Sequence, residues 1–104
     1  MRSEVLKGNV DLLLLAAIGD AEAHGYGIVE AVRRRSEGAF DLAEGTVYPA
    51  LYRLERAGVV ASRWESVGGR RRRIYRLTSR GAGVLRERRD EWQAFTRAME
   101  AALA

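Results

Sequence analysis

The sequence predicts a mainly α-helical domain with one small β-hairpin and a long closing helix. Three observations carry that expectation. Apolar residues recur at helical spacing in three stretches before Gly58. Two runs rich in Val, Trp, Ile and Tyr follow, joined across a Gly-Gly pair as in a hairpin. After Thr78 helix formers continue without a break, with Leu85, Trp92 and Met99 spaced by seven.

The elements follow in chain order. Residues 1–9, with Gly8 and Asn9, are expected as a loose arm or first turn. VDLLLLAAI at 10–18 combines strong helix formers with apolar character on nearly every face, which predicts a helix buried at a domain or dimer centre. Gly19 and Asp20 end it. His24 or Gly25 opens the second helix, with Tyr26, Ile28, Val29 and Val32 as its apolar side. Arg33, Arg34 and Arg35 fall in its last turn, where cations complement the helix dipole, and Gly38 breaks it. Phe40 and Leu42 anchor a short connector.

Pro49 is tolerated only near a helix start, so it sets the beginning of the third helix close to Gly45, capped by Glu44 or Gly45. Val47, Leu51 and Leu54 recur at i, i+4 and i+7 and define its buried face. Thr46, Pro49, Tyr52, Arg53 and Arg56 lie opposite, with Tyr48 at the shoulder. The hairpin is expected over Val59–Ser66 and Arg72–Leu77, with a turn across Val67–Arg71. Trp64 and Tyr75 are expected in its core. Thr78 is a good N-cap for a last helix over Ser79–Leu103, along which Phe95 and Leu103 accompany the seven-residue stripe.

A chain of 104 residues is long enough for one small core, and 47% hydrophobic residues argue against disorder. Cysteine is absent, so neither disulfides nor cysteine-ligated zinc hold the fold. With a single histidine, His24, no transition-metal site is expected; this residue reads as a helix cap. No convergent acid-base or nucleophile set points to catalysis, and no cofactor is implied. The longest apolar run, Leu12–Ile18, falls well short of the roughly 20 residues that span a membrane. Glu4 and Asp11 flank it and no small-residue cleavage site follows, so a cytoplasmic protein without a leader is expected.

Charge is distributed unevenly. Residues 53–80 hold nine arginines against Glu55 and Glu65, whereas the rest of the chain is net acidic. Arginine-over-lysine usage itself is attributable to codon composition; the clustering is the informative part. A helix joined to a basic hairpin suits a nucleic-acid duplex, because the helix can enter a groove while arginines hold phosphates. A recognition helix reads bases mainly from its N-terminal half. That places Thr46, Tyr48, Pro49 and Tyr52 near base edges or backbone, Arg53 at base or phosphate, and Arg56 at phosphate. The Arg70, Arg71, Arg72 and Arg73 run stands at or just past the hairpin tip, with alternate side chains facing the duplex.

Helix-helix-helix-hairpin-helix is the order of a winged helix-turn-helix with an added C-terminal helix. HGYGI at 24–28, EGTVYPALYRLERAGVV at 44–60 and GRRRRIYRLTSRG at 69–81, after a leucine-rich first helix, resemble PadR-type transcriptional regulators of the short subclass. The resemblance covers most of the chain; the last helix matches by position and by its Trp92/Phe95 pair only. It implies residues 1–81 as the DNA-binding region and 82–104 as a dimerisation helix within one compact domain. It further implies a homodimer on a pseudo-palindromic operator, acting as a repressor relieved by a small, flat aromatic effector. Leu12, Leu15, Leu85, Trp92, Phe95 and Met99 would build the dimer interface and border the effector. Two other readings stay open at this level: a sequence-independent architectural DNA binder, and a winged helix that grips an acidic protein.

Overall fold

The computed structural model describes Leu6 and residues 8–104, so most of the predicted arm lies outside the described residues. The elements are α1 (Val10–Asp20), β1 (Ala23–His24), α2 (Gly25–Arg35), α3 (Glu44–Arg56), β2 (Val60–Val67), β3 (Arg70–Leu77) and α4 (Ser79–Leu103). The predicted class holds: four described helices and a small antiparallel sheet.

Helices α1, α2 and α3 pack their apolar faces into one core. Leu14, Leu15 and Ile18 meet Ile28, Val29 and Val32, and Val47, Leu51 and Leu54 close over them. Tyr26 departs from the expectation, since it is 60% exposed. At 100° per residue it lies about 115° from the centre of the Ile28, Val29 and Val32 face, so the helix itself turns it away from the core. Helix α3 begins one residue earlier than expected, with Ala43 as N-cap and no capping side chain.

The sheet has the order β1-β3-β2, one strand more than the hairpin expected from the sequence. Ala23 and His24 pair with Tyr75 and Ile74 along the outer edge of β3. The turn is also tighter than the five residues expected for it. Val67 pairs with Arg70, leaving Gly68 and Gly69 as a two-residue loop. Both have positive φ, 57° and 79°, as a type I′ turn requires. All four arginines of the run therefore stand on β3 rather than in the loop.

Where the hairpin returns to α4, the chain is tied by backbone and one hydroxyl. The Thr78 amide donates to the Val59 carbonyl at 3.2 Å, and Thr78 Oγ1 donates to the Gly58 carbonyl at 2.7 Å. The same oxygen accepts from the Gly81 amide at 3.0 Å and caps α4. Only the first turns of α4 join the core, through Gly81 and Leu85, so the expected division at 81/82 falls inside a packed helix. The remainder projects outward. The radius of gyration, 14.6 Å, exceeds the roughly 13 Å of a compact chain of this length.

Candidate nucleic-acid interface and an apolar helix face

Burial of Val47, Ala50, Leu51 and Leu54 turns the other side of α3 to solvent. Thr46, Pro49, Tyr52, Arg53 and Arg56 are exposed there, and Tyr48 is half exposed. Tyr48 is seated by Gly25: a β-carbon at that position would lie 2.5 Å from the tyrosine hydroxyl oxygen. The Arg56 guanidinium lies 5.8 Å from the centre of the Tyr52 ring.

Arg53 has another partner. Its two terminal nitrogens donate to the Asp11 carboxylate of α1 at 3.1 and 3.3 Å. This bidentate pair answers the charge that the sequence alone offers to a ligand.

The basic run divides in the same way. Arg73 Nε donates to Ser62 Oγ at 2.8 Å, Ser62 donates to Glu55 at 2.7 Å, and Arg73 stands 3.4 Å from the same Glu55 oxygen. This network ties the wing to α3. Arg71 and Arg73 flank Trp64, at 4.7 and 5.2 Å from its ring centre. Trp64 is 54% exposed, which corrects its expected place in the hairpin core. It pairs with Arg73 in the register beyond the stretch that β1 covers, where the sheet face is open. Tyr75, further inward, is buried as expected, and burial raises its hydroxyl pKa above the ordinary value. Arg70, Arg71 and Arg72 have no acidic partner among the described residues. On the outer face Arg63 donates to Glu22 at 2.7 Å and Glu65 at 3.1 Å. That hydrogen bond, with the Arg63 charge, holds the Glu22 carboxyl below its usual range.

Between α3 and the wing lies a concavity of about 500 Å³, bounded by His24, Tyr26, Tyr48, Trp64, Arg71 and Arg72. Its wall is aromatic and cationic, suited to an anionic polymer. His24, Tyr26 and Trp64 belong to this wall, although residue pattern alone does not assign them to the site. For Tyr26 the helical phase carries a usable signal; for Trp64 the exposure depends on where β1 stops.

A second feature lies on α4. Trp92 and Phe95, with ring centres 5.8 Å apart, are both about half exposed, and Met99 and Leu103 extend the stripe. Thr96 Oγ1 on this stripe is buried without a hydrogen-bond partner. A groove of about 420 Å³ runs from Trp92 and Arg89 across Leu12, Leu13 and Ala16 to Phe40. Leu15 and Leu85, expected in an interface, are instead enclosed in the core of the chain itself. No group of three or more potential metal ligands converges among the described residues. No described helix is long and apolar enough to cross a membrane.

Residues 14–87 match the model of the transcriptional regulator PadR-like family. A transcriptional regulator of Mycobacterium tuberculosis, Rv3488, is 34% identical over 94 residues, covering 90% of this chain and 85% of the relative. A PadR family transcriptional regulator from Eggerthella lenta superposes with a TM-score of 0.82 at 30% identity, covering 96% of this chain and 86% of that one. Bacillus subtilis PadR, solved in complex with operator DNA, shares the fold at a TM-score of 0.69 and 21% identity. That match covers 76% of this chain and 45% of the B. subtilis protein.

Proposed function

Because the chain belongs to the PadR-like family of transcriptional regulators, and so is not an enzyme, we propose that it binds operator DNA as a homodimer and represses transcription until a small aromatic effector releases it. The observation that carries this reading is the continuity of the exposed α3 face with a wing whose Arg70, Arg71 and Arg72 have no acidic partner among the described residues. Helix α3 enters the major groove with Thr46, Tyr48, Pro49 and Tyr52 leading, and Arg56 reaches the backbone. The wing arginines hold phosphates beside it, or a narrow minor groove. Arg53 and Arg73 contribute differently: one ties α3 to α1, the other ties the wing to α3, so both set the angle between the reading elements. The fold relative from B. subtilis, solved with operator DNA, supports the same use of this scaffold.

Dimerisation draws on the Trp92, Phe95 and Met99 stripe together with Leu12 of α1. A partner helix there would cover the aromatic pair. Planar aromatic compounds would stack on Trp92 at the mouth of the α1–α4 groove. The wing and α3 face favour this reading over a protein-binding module, since they present separated cations beside a helix that fits a groove.

The deciding experiment titrates purified protein against the DNA upstream of its own gene, with scrambled competitor, at about 150 mM salt. Expected is a preference of roughly 10³ or more with two-fold symmetric protection, half-sites about 10–10.5 bp apart. Binding equal to the scrambled control across a genome-wide site selection would sink the specific-regulator reading. Adding planar aromatic compounds should release the DNA from wild type and not from Trp92→Ala; equal release would remove Trp92 from the effector site.

A further inference from the structure

His24 carries a hydrogen-bonding conflict that points to a ligand. The Gly27 amide donates to His24 Nδ1 at 3.1 Å, so that nitrogen holds a lone pair and the proton of the neutral ring sits on Nε2. Nε2 faces Arg72 Nη1 at 3.0 Å. A guanidinium has donors only. Two donors therefore meet head-on at the rim of the concavity between α3 and the wing, and no acceptor among the described residues is shared by them.

An anionic oxygen seated within reach of both would resolve the conflict, taking one bond from Nε2–H and one from the guanidinium. We propose that His24 and Arg72 form a two-donor site for a phosphate oxygen. The geometry for it is prepared on three sides. The N-cap bond fixes the ring tautomer, pairing of His24 with Ile74 fixes its height on the sheet, and the Tyr26 ring stacks on the imidazole at 6.4 Å and 14°. Arg72 has no carboxylate among the described residues to divert it. Resting on the DNA-binding reading, the occupant is a non-bridging oxygen of the operator backbone, seated where the N-terminus of α2 meets the wing. A free phosphate is the other source of the same chemistry.

His24 is the sole histidine, so its imidazole signals in NMR spectra are unambiguous. Inorganic phosphate and duplex DNA are each titrated into wild type and Arg72→Ala, and DNA affinity is measured for His24→Asn. Asparagine keeps a capping oxygen for α2 and lacks the Nε2 donor. Expected is movement of the His24 signals with DNA, and with phosphate only while Arg72 is present. His24→Asn should lose roughly tenfold in affinity for operator and scrambled DNA alike. Its salt dependence should match wild type, since a neutral donor displaces no counterion, whereas Arg72→Ala should lose about 0.9 from the slope. Phosphate-driven shifts without DNA affinity would leave the site standing with free phosphate as occupant and end the DNA reading. DNA binding with stationary His24 signals and an unweakened His24→Asn would overturn the site and leave the DNA reading intact.

Discussion

At Gly81 a single methyl group would collide with the backbone. A β-carbon there would sit 1.9 Å from the Val59 carbonyl oxygen, which already accepts the Thr78 amide. The oxygen cannot retreat without giving up that bond and loosening the junction between the wing and α4. Gly81→Ala should therefore destabilise by roughly 3 kcal/mol, at the upper end of overpacking costs. Gly83, two residues on in the same helix, has open space around its missing β-carbon. Gly83→Ala should be neutral or stabilise by up to about 1 kcal/mol through helix propensity. Urea midpoints of the two variants check the contrast, and equal midpoints would show that the junction gives way. At this scale the sequence was readable where the signal is local. His24 and Thr78 cap helices as their residue types and positions predict. Arg53 was less readable, because its partner Asp11 lies 42 residues away and nothing local marks the pairing.

Among the elements, the wing combines a tight glycine tip with an anchored base. Ser62, Arg73 and Glu55 join β2, β3 and α3, while Gly68 and Gly69 allow the tight turn beyond them. Arg70 and Arg71 lie on the tip side of this anchor and contact no carboxylate among the described residues, so their charges remain available to phosphates. Replacing both with Ala should cost no more than about 1 kcal/mol of stability, through the Arg71–Trp64 contact, weaken binding to all DNA sequences, and reduce the salt slope by about 1.8. A double variant that keeps both affinity and slope would move the phosphate contacts elsewhere. Arg73→Ala should differ in kind, lowering stability by up to about 1 kcal/mol through the loss of a partly exposed network. The hairpin and its Gly-Gly turn were legible from strand-type residues and turn chemistry. Strand β1 was not, since two residues show no periodicity and their pairing with Ile74 and Tyr75 is purely tertiary.

At the level of the whole molecule, the chain is long for its width, 55 × 28 × 20 Å, and α4 accounts for that shape. Its 25 residues run about 37 Å at 1.5 Å each, and the core holds only the first turns. An isolated outer half would carry Trp92, Phe95 and Met99 into water, with the Thr96 hydroxyl unsatisfied beside them. A second copy using the same face would take the apolar stripe out of water, because a two-fold axis matches like surface to like. Glutamate at 95 and 99 would place four carboxylates in that interface without touching Leu85 or the N-cap. Phe95→Glu/Met99→Glu should therefore keep its circular dichroism spectrum and sediment as a monomer at concentrations where the proposed wild-type dimer would form. Operator affinity should fall on the order of 10², since each monomer then holds one half-site without the gain from the linked second one. Sedimentation identical to wild type would mean that the stripe is not the interface. A monomer that retains full operator affinity would separate dimerisation from DNA reading altogether.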